Sequence, residues 1–299
     1  MKRAVSVSLG DSSRDKQVIV EMGAQRIQLE RIGHNGDLDR TRRTFAELDG
    51  TVDALGMGGT DLYIRLGERE YPLHAVLKLI QDVHHTPVVD GRGLKHTLER
   101  RVFELAAPQL GEIPHFRRAF IPLAINRIGL AEAVSEMTDE VIMGDLLFEL
   151  NLPIPIRGLD AFRRIARLMM PVVSHFPMSE LFYGSGGFEP KPKHLRQWQQ
   201  ADLIAGDFLY IRKHMPDDLG GKTVVTNTTT EENVELLRSR GVRTLITTTP
   251  SYQGRTFGTN ALEAALTAYA GKGRALDDAE LNALIDELDL RPSVQHLNP

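Results

Sequence analysis

Three short β-branched runs, each closed by polar residues, constrain this chain more than any other feature. They are Leu203-Ile204-Ala205-Gly206-Asp207-Phe208, Thr223-Val224-Val225-Thr226-Asn227-Thr228 and Thr244-Leu245-Ile246-Thr247-Thr248-Thr249-Pro250, all within Ala201–Gly271. None alternates apolar with polar residues, so each is predicted to be a strand buried on both faces, in a parallel sheet covered by helices. A helical stretch after Thr230 and another from about Asn260 supply the covers. Ligands of such sheets sit at the carboxyl ends of the strands, and that is where a site is expected here.

The rest of the chain reads as a second α/β unit placed before this one. Ala4 to Leu9, Val18-Ile19-Val20-Glu21 and Arg26 to Ile32 are predicted strands, the last two a hairpin or meander. Asp37 caps a helix whose Leu38, Thr41, Phe45 and Leu48 form an apolar stripe. Val52 to Gly59 is another strand, and Gly67-Glu68 turns a hairpin. Helices are expected from His74 to His84 and from Leu94 to Ala107. Pro108, Pro114 and Pro122 mark 108–126 as the crossing between units. Leu152-Pro153-Ile154-Pro155-Ile156 lacks the donors of a central strand. Helices follow over Gly129–Met137 and Asp160–Val173, and a last one is capped by Asp277-Asp278. The fold class expected is α/β, with an N-terminal α/β domain at 1–110 and a Rossmann-like domain with a mostly parallel sheet at 111–299.

Charge and length narrow the function classes. With 36 basic and 40 acidic residues the net charge is −4, so no positive field attracts nucleic acid or an anionic membrane. The chain has no cysteine, hence no disulfide or thiolate, as in a reducing cytosol. The first residues turn polar by Asp11, too early for a signal peptide, and no window of about 18 apolar residues occurs. A cytoplasmic protein is expected. Its partner would be a small-molecule substrate, with homo-oligomerisation open.

Several motifs carry chemistry beside a plainer reading. Gly56-Met57-Gly58-Gly59-Thr60-Asp61 follows a strand, as a dinucleotide-binding turn would. That fingerprint needs a helix next, so that the pyrophosphate meets free N–H groups. Here a strand follows, and a turn near a site or a structural turn both remain. Asp90-Gly91-Arg92-Gly93 opens a helix carrying Lys95, and its terminus favours an anion. Asp90 and Lys95 could move a proton on a substrate hydroxyl if burial lowers the lysine pKa, or be a cap and a solvated lysine. Thr226-Asn227-Thr228 and Thr248 form polar strand ends, read as a ligand floor or as the approach to an N-cap at Thr229 or Thr230. Asp207 and Asp145 stand at equivalent Gly-Asp strand ends, bonding loop amides or a ligand. Arg255, before Thr259-Asn260, could present a fork to a carboxylate or phosphate or lie on the surface. Residues 182–187 have the glycines of a lid or of a plain loop. His84 and His85 are adjacent and point apart, and no H-E-x-x-H, Walker or G-x-S-x-G motif occurs, so no metal site is expected.

Taken together, Gly56 to Tyr63, Thr86 to Lys95, Ala205-Gly206-Asp207, Thr226-Asn227-Thr228 and Gly254 to Asn260 resemble a bacterial family commonly labelled quinate 5-dehydrogenase, over almost the whole chain. The resemblance implies NAD(P)-dependent oxidation of a polyhydroxy cyclohexane carboxylate, with a lysine–aspartate pair, here Lys95 and Asp90, acting on the hydroxyl. On that reading Gly56, Gly58, Gly59, Thr226, Asn227 and Thr228 would hold NAD or NADP. Asp61, Asp207, Thr248, Arg255 and Asn260 would face the substrate. The alternative is a non-catalytic binder of a small anion or nucleotide, with Ala201–Gly271 as the floor of a cleft.

Overall fold

Helix Thr259–Ala270 packs on strands more than 200 residues before it, so the chain cannot be cut once into two domains. A computed structural model describes residues 1–112, 114–181, 190–252 and 255–298, apart from the side chains of Glu180, Ser251, Tyr252 and Arg255. Two compact units emerge. The first is Met1–Leu94 with Arg167–Gly187 and Gly258–Asp289; the second is Lys95–Ala166 with Phe188–Phe257 and Leu290–Pro299. The sequence suggests one boundary near 110, whereas the units change over at Leu94–Lys95, inside the short helix Arg92–His96. Among the described residues no helix is long and apolar enough to cross a membrane.

The first unit contains β1 (Lys2–Ser8), β2 (Lys16–Met22), β3 (Gln25–Gly33), β4 (Ala54–Gly58), β5 (Tyr63–Leu66), β6 (Arg69–Pro72) and β7 (Val88–Val89). Its sheet runs β2-β3-β1-β4-β7, with β2 antiparallel to β3 and the other pairs parallel; β5 and β6 form a separate hairpin. Helix Leu38–Leu48 is capped by Asp37, whose carboxylate accepts from Arg40 N at 2.9 Å. The helix expected over 74–84 stops at Leu77. Beyond it Leu79, Ile80 and Val83 bond three residues back, and the amides of His84, His85 and Thr86 donate to the Asp49 carboxylate. Those amides are therefore withdrawn from any helical ladder.

The second unit contains β8 (Phe116–Ile121), β9 (Thr138–Met143), β10 (Ile156–Arg157), β11 (Leu203–Gly206), β12 (Thr223–Thr226), β13 (Thr244–Thr247), β14 (Ser251–Tyr252), β15 (Arg255–Thr256) and β16 (Ser293–His296). Seven of them form one sheet in the order β10-β9-β8-β11-β12-β13-β16, with β14 and β15 paired apart. The five inner strands are parallel, and the two edge strands are antiparallel. Strands β11, β12 and β13 are buried along their whole length, as their lack of alternation requires. The segment 108–126 is no linker: it supplies β8, the strand around which the sheet is wound. Its Phe120 meets Trp198 edge-on at 5.2 Å and packs with Ile204, Val224 and Leu245. Each such fully buried side chain is worth roughly 1.5–3 kcal/mol. The helix expected over 94–107 also breaks, into Arg92–His96 and Val102–Leu110.

In chain order the parallel strands lie 2-1-3-4-5, a doubly wound arrangement. From β8 the connection runs to β9 on one side. The next parallel strand, β11, starts on the other side of β8 and leads on to β12. The carboxyl ends of β8 and β11 therefore flank the topological switch point, where such sheets leave a crevice.

Candidate functional site at the switch point of the second sheet

After β8 the chain runs Pro122-Leu123-Ala124-Ile125-Asn126-Arg127 before the helix Ile128–Glu136. After β11 it passes Gly206 and enters the helix Phe208–His214 at once, with Asp207 as N-cap. Arg127 bridges the gap. Its Nη2 donates to Asp207 Oδ2 at 2.9 Å, and its Nη1 to Glu99 Oε1. Asn227, following β12, donates from Nδ2 to the same Asp207 oxygen at 2.9 Å and accepts from Phe208 N at 3.1 Å. Thr248, following β13, donates to Glu99 Oε1 at 3.3 Å, and its amide bonds Thr226 O at 2.8 Å. Thr226 Oγ1 donates to Gly206 O at 2.8 Å. One polar chain thus joins the ends of four adjacent parallel strands.

Electrostatics in this chain are balanced. Glu99 has no exposed surface and Arg127 is 4% exposed. Burial pushes the Glu99 carboxyl above its ordinary range, against Arg127 and against Lys95, whose charge favours the ionised form. For Asp207 burial also acts upward, but Arg127, Asn227 and Leu209 N together outweigh it and hold the acid below its usual value. Two acceptors at this edge, Glu99 Oε2 and Asn126 Oδ1, are buried with no hydrogen-bond partner among the described residues. Buried acceptors are nearly always satisfied, so these two call for donors. Beside them, Asp145 clamps the loop after β8 by accepting from Ala124 N at 3.1 Å and Ile125 N at 2.9 Å. Burial nevertheless pushes its carboxyl up to about 7.

The residues expected at a site fall into two groups. Asp207, Asn227, Thr226 and Thr248 meet in the second unit. Thr228 follows them, 9% exposed, and Lys95 lies in the same unit beside Glu99, 8% exposed. Glu99 and Arg127, the centre of the network, are absent from the sequence expectations. The signal that points to Arg127 is the β-rich Phe116-Arg117-Arg118-Ala119-Phe120-Ile121 followed by a polar Asn-Arg pair, obscured by the flanking prolines.

In the first unit the geometry redirects several expectations. No helix follows the turn at 56–61. A Cβ on Gly56 would lie 2.7 Å from Asn260 O, and one on Gly58 would lie 2.9 Å from Ser8 Cβ and 3.0 Å from Asn260 Nδ2. These glycines therefore admit the start of helix Thr259–Ala270 against β4, which leaves no room there for a pyrophosphate. Gly59 turns the chain at φ +85°, and Asp61 is buried just beyond it. Asn260 donates to Ser6 Oγ at 2.5 Å. Asp90 has both oxygens engaged, by Leu62 N at 2.8 Å, Tyr63 N at 3.3 Å and Arg92 N at 3.1 Å. Its reading as a proton carrier loses its basis, because loop amides hold the carboxylate. The anion expected at the start of the next helix is part of the protein itself: Glu263, 4% exposed, accepts from Leu94 N at 3.0 Å.

Other helix starts are likewise closed by the chain's own acceptors. Thr230 accepts from Asn233 N ahead of Glu231 and Glu232, and Asp277 forms a capping box with Glu280. The side chain of Arg255 and the segment 182–187, read as a lid, lie outside the described residues. Among the described residues no three histidine, aspartate or glutamate side chains are arranged to hold a metal ion.

Comparisons with known proteins give a family and weak structural likenesses. A search of curated sequences returns no match. Among solved structures, one from Mycobacterium smegmatis in complex with beta-D-fucofuranose aligns at 11% identity and TM-score 0.33, covering 99% of both chains. Entamoeba histolytica malic enzyme aligns at 12% identity and TM-score 0.39, over 95% of this chain and 61% of that one. GanP, a glucose-galactose binding protein from Geobacillus stearothermophilus, aligns at 8% identity and TM-score 0.35, over 99% and 97%. Residues 3–90 match a family described as a domain of unknown function, DUF8753. The match over residues 93–297, most of the chain, is to a second such description, and the protein belongs to that family, domain of unknown function DUF8754.

Proposed function

We propose that the second unit binds a small polyhydroxylated molecule at the switch point between β8 and β11. The observation that carries this reading is the Glu99–Arg127–Asp207–Asn227 chain across that point, with acceptor oxygens of Glu99 and Asn126 left buried and unbonded. Hydroxyl groups supply the donors that these oxygens lack, and a buried acceptor without a donor costs roughly 1–3 kcal/mol. A ligand anion fits less well. Arg127 already lies between two carboxylates, so its charge is spent. The ring hydroxyls of a polyhydroxy cyclohexane carboxylate, as the family resemblance implies, match this donor demand, whereas its carboxylate gains no unspent charge from Arg127.

Hydride transfer to NAD or NADP is a second reading, favoured by one observation. Lys95 is buried one helical turn before Glu99 and acts on its charge, a lysine–carboxylate pair able to take a proton from a substrate hydroxyl. Where the phosphates of such a cofactor would rest is not supplied by the turn at 56–61.

Thermal shift with a panel of neutral polyols, quinate and shikimate tests the first reading. A true ligand at a hundredfold excess over its Kd stabilises by about 2.7 kcal/mol, and Asp207→Asn should abolish that shift. A panel without any shift, or a shift that survives Asp207→Asn, refutes the site. Absorbance at the reduced-nicotinamide band tests the second reading: Lys95→Ala should remove turnover and spare binding.

A further inference from the structure

We propose that β2 (Lys16–Met22), at the open edge of the first unit's sheet, pairs with β2 of a second copy of this chain, antiparallel and centred on Ile19. An edge strand presents a row of backbone N–H and C=O groups, and a second strand completes it.

The other edges of the two large sheets are blunted. In the second unit β10 has two residues, behind Pro153 and Pro155. The outer side of β16 is taken by the Gln109 side chain, which donates to Pro292 O at 2.6 Å and accepts from Val294 N at 3.2 Å. In the first unit β7 has two residues, after Pro87. Strand β2 has seven, with no proline or glycine and an unbroken register against β3 that leaves no bulge. A long, regular edge left bare is a template for another strand.

The register decides which strand fits. Gly23-Ala24 joins β2 to β3 as a two-residue turn, with Gly23 at φ +53°. Met22 and Gln25 beside it form a bonded pair, and bonded pairs recur at Val20, Val18 and Lys16. The N–H and C=O groups of Gln17, Ile19 and Glu21 therefore point away from β3, and they have no partner among the described residues. Their side chains are exposed, Ile19 at 44%, while Val18 and Val20 are buried on the other face. A two-fold axis at Ile19 sets Ile19 on its own copy, Gln17 opposite Glu21 and Val18 opposite Val20, and forms about six backbone hydrogen bonds. Sliding the pair by two residues sets Glu21 against Asp15 in one direction and against Ile19 in the other. Charge and apolar contact both select the register centred on Ile19.

This interface shares no residue with the switch-point network, so the two readings fail separately. Sedimentation velocity of the full-length protein across about a hundredfold range of concentration is the test. The expected result is a reversible monomer–dimer equilibrium. Ile19→Lys sets two like charges together at the axis and should weaken it about tenfold or more, whereas Gln17→Lys pairs with Glu21 twice and should tighten it about fivefold. Both positions are exposed, so the variants should fold, which unfolding midpoints of the dilute proteins would verify. Amide exchange should slow on dimerisation at Gln17, Ile19 and Glu21 and stay unchanged at Val18 and Val20. The proposal is overturned by a monomer at every concentration, by assembly beyond the dimer, by a dimer indifferent to Ile19→Lys, or by exchange at Gln17, Ile19 and Glu21 that dimerisation leaves unchanged.

Discussion

Arg127 Nη2 and Asp207 Oδ2 lie 2.9 Å apart at the ends of two adjacent parallel strands whose onward connections diverge. The topology brings them together, since the residues that follow β8 and β11 have no neighbouring connection between them. Packing alone would favour apolar residues there, because replacing a buried ion pair with hydrophobic groups is often neutral or stabilising. Glu99, Asn227 and Thr248 extend the same network, so a whole strand-end row is given over to polar groups that do not maximise stability.

Asp207→Asn separates charge from shape. Asparagine keeps the N-cap bond to Leu209 N but removes one of the two carboxylates paired with Arg127. The Asp207 side chain is 27% exposed, so the loss at neutral pH should be about 1–3 kcal/mol, below the cost of breaking a fully buried pair. The sign with pH follows from the depressed acid. Its stabilisation is present above the ordinary value of 3.8 and is lost as pH falls below it. Urea unfolding at neutral and acid pH should show a gap between wild type and variant that closes in acid; an equal gap at both would exclude a role for this charge.

Asp145 behaves in the opposite sense. Burial, opposed by the amides of Ala124 and Ile125, pushes its carboxyl from 3.8 up to about 7. The folded state therefore holds the proton longer, and this group's contribution to stability falls as pH rises from about 4 to 7. Asp145→Asn retains an acceptor for the loop and has no proton to lose. Calorimetric midpoints should fall between pH 4 and 7 in wild type by more than in the variant. Parallel profiles would show that Asp145 titrates normally.

The strands of the Ala201–Gly271 stretch were legible because burial on both faces removes alternation, and β11, β12 and β13 lie within the runs that show it. Asp207, Asn227 and Thr248 were legible for a related reason: a polar residue just after such a run lies at the strand's carboxyl end. Glu99 and Arg127 were not. Glu99 sits in a predicted helix that bends out of register after His96, and Arg127 follows a strand disguised by Pro114 and Pro122. Glu263 occupies the predicted anion position from a distance of 169 residues along the chain, a relationship that local pattern cannot carry. The packing of Asn260 against Gly56 and Gly58 is of the same kind.

Glu263→Ala should remove that internal anion. Leu94 N would then be buried without an acceptor, at a cost of about 1–3 kcal/mol. Glu263→Gln keeps an acceptor oxygen and should lose less. Chemical denaturation of both variants decides the matter. Equal losses would mean that the charge or the packing of the side chain, rather than the bond to Leu94, sets its contribution.

Gly129→Ala sets two effects against each other. Alanine gains at most roughly 1 kcal/mol over glycine within a helix, and less at Gly129, the second residue of the helix Ile128–Glu136. The added Cβ, however, would stand 2.0 Å from the Lys95 carbonyl oxygen and 3.2 Å from His96 Cα. Both obstacles are backbone atoms, which cannot rotate aside as a side chain can. Overpacking of this kind typically costs about 1–3 kcal/mol and occasionally more, so the loss should exceed the gain. The turn carrying Lys95 and Glu99 would shift away from Arg127. A lower unfolding midpoint, together with loss of any ligand-induced shift at the switch point, is the expected outcome. A variant as stable as wild type would show that the backbone at Lys95 yields freely, and that this contact does not position Glu99.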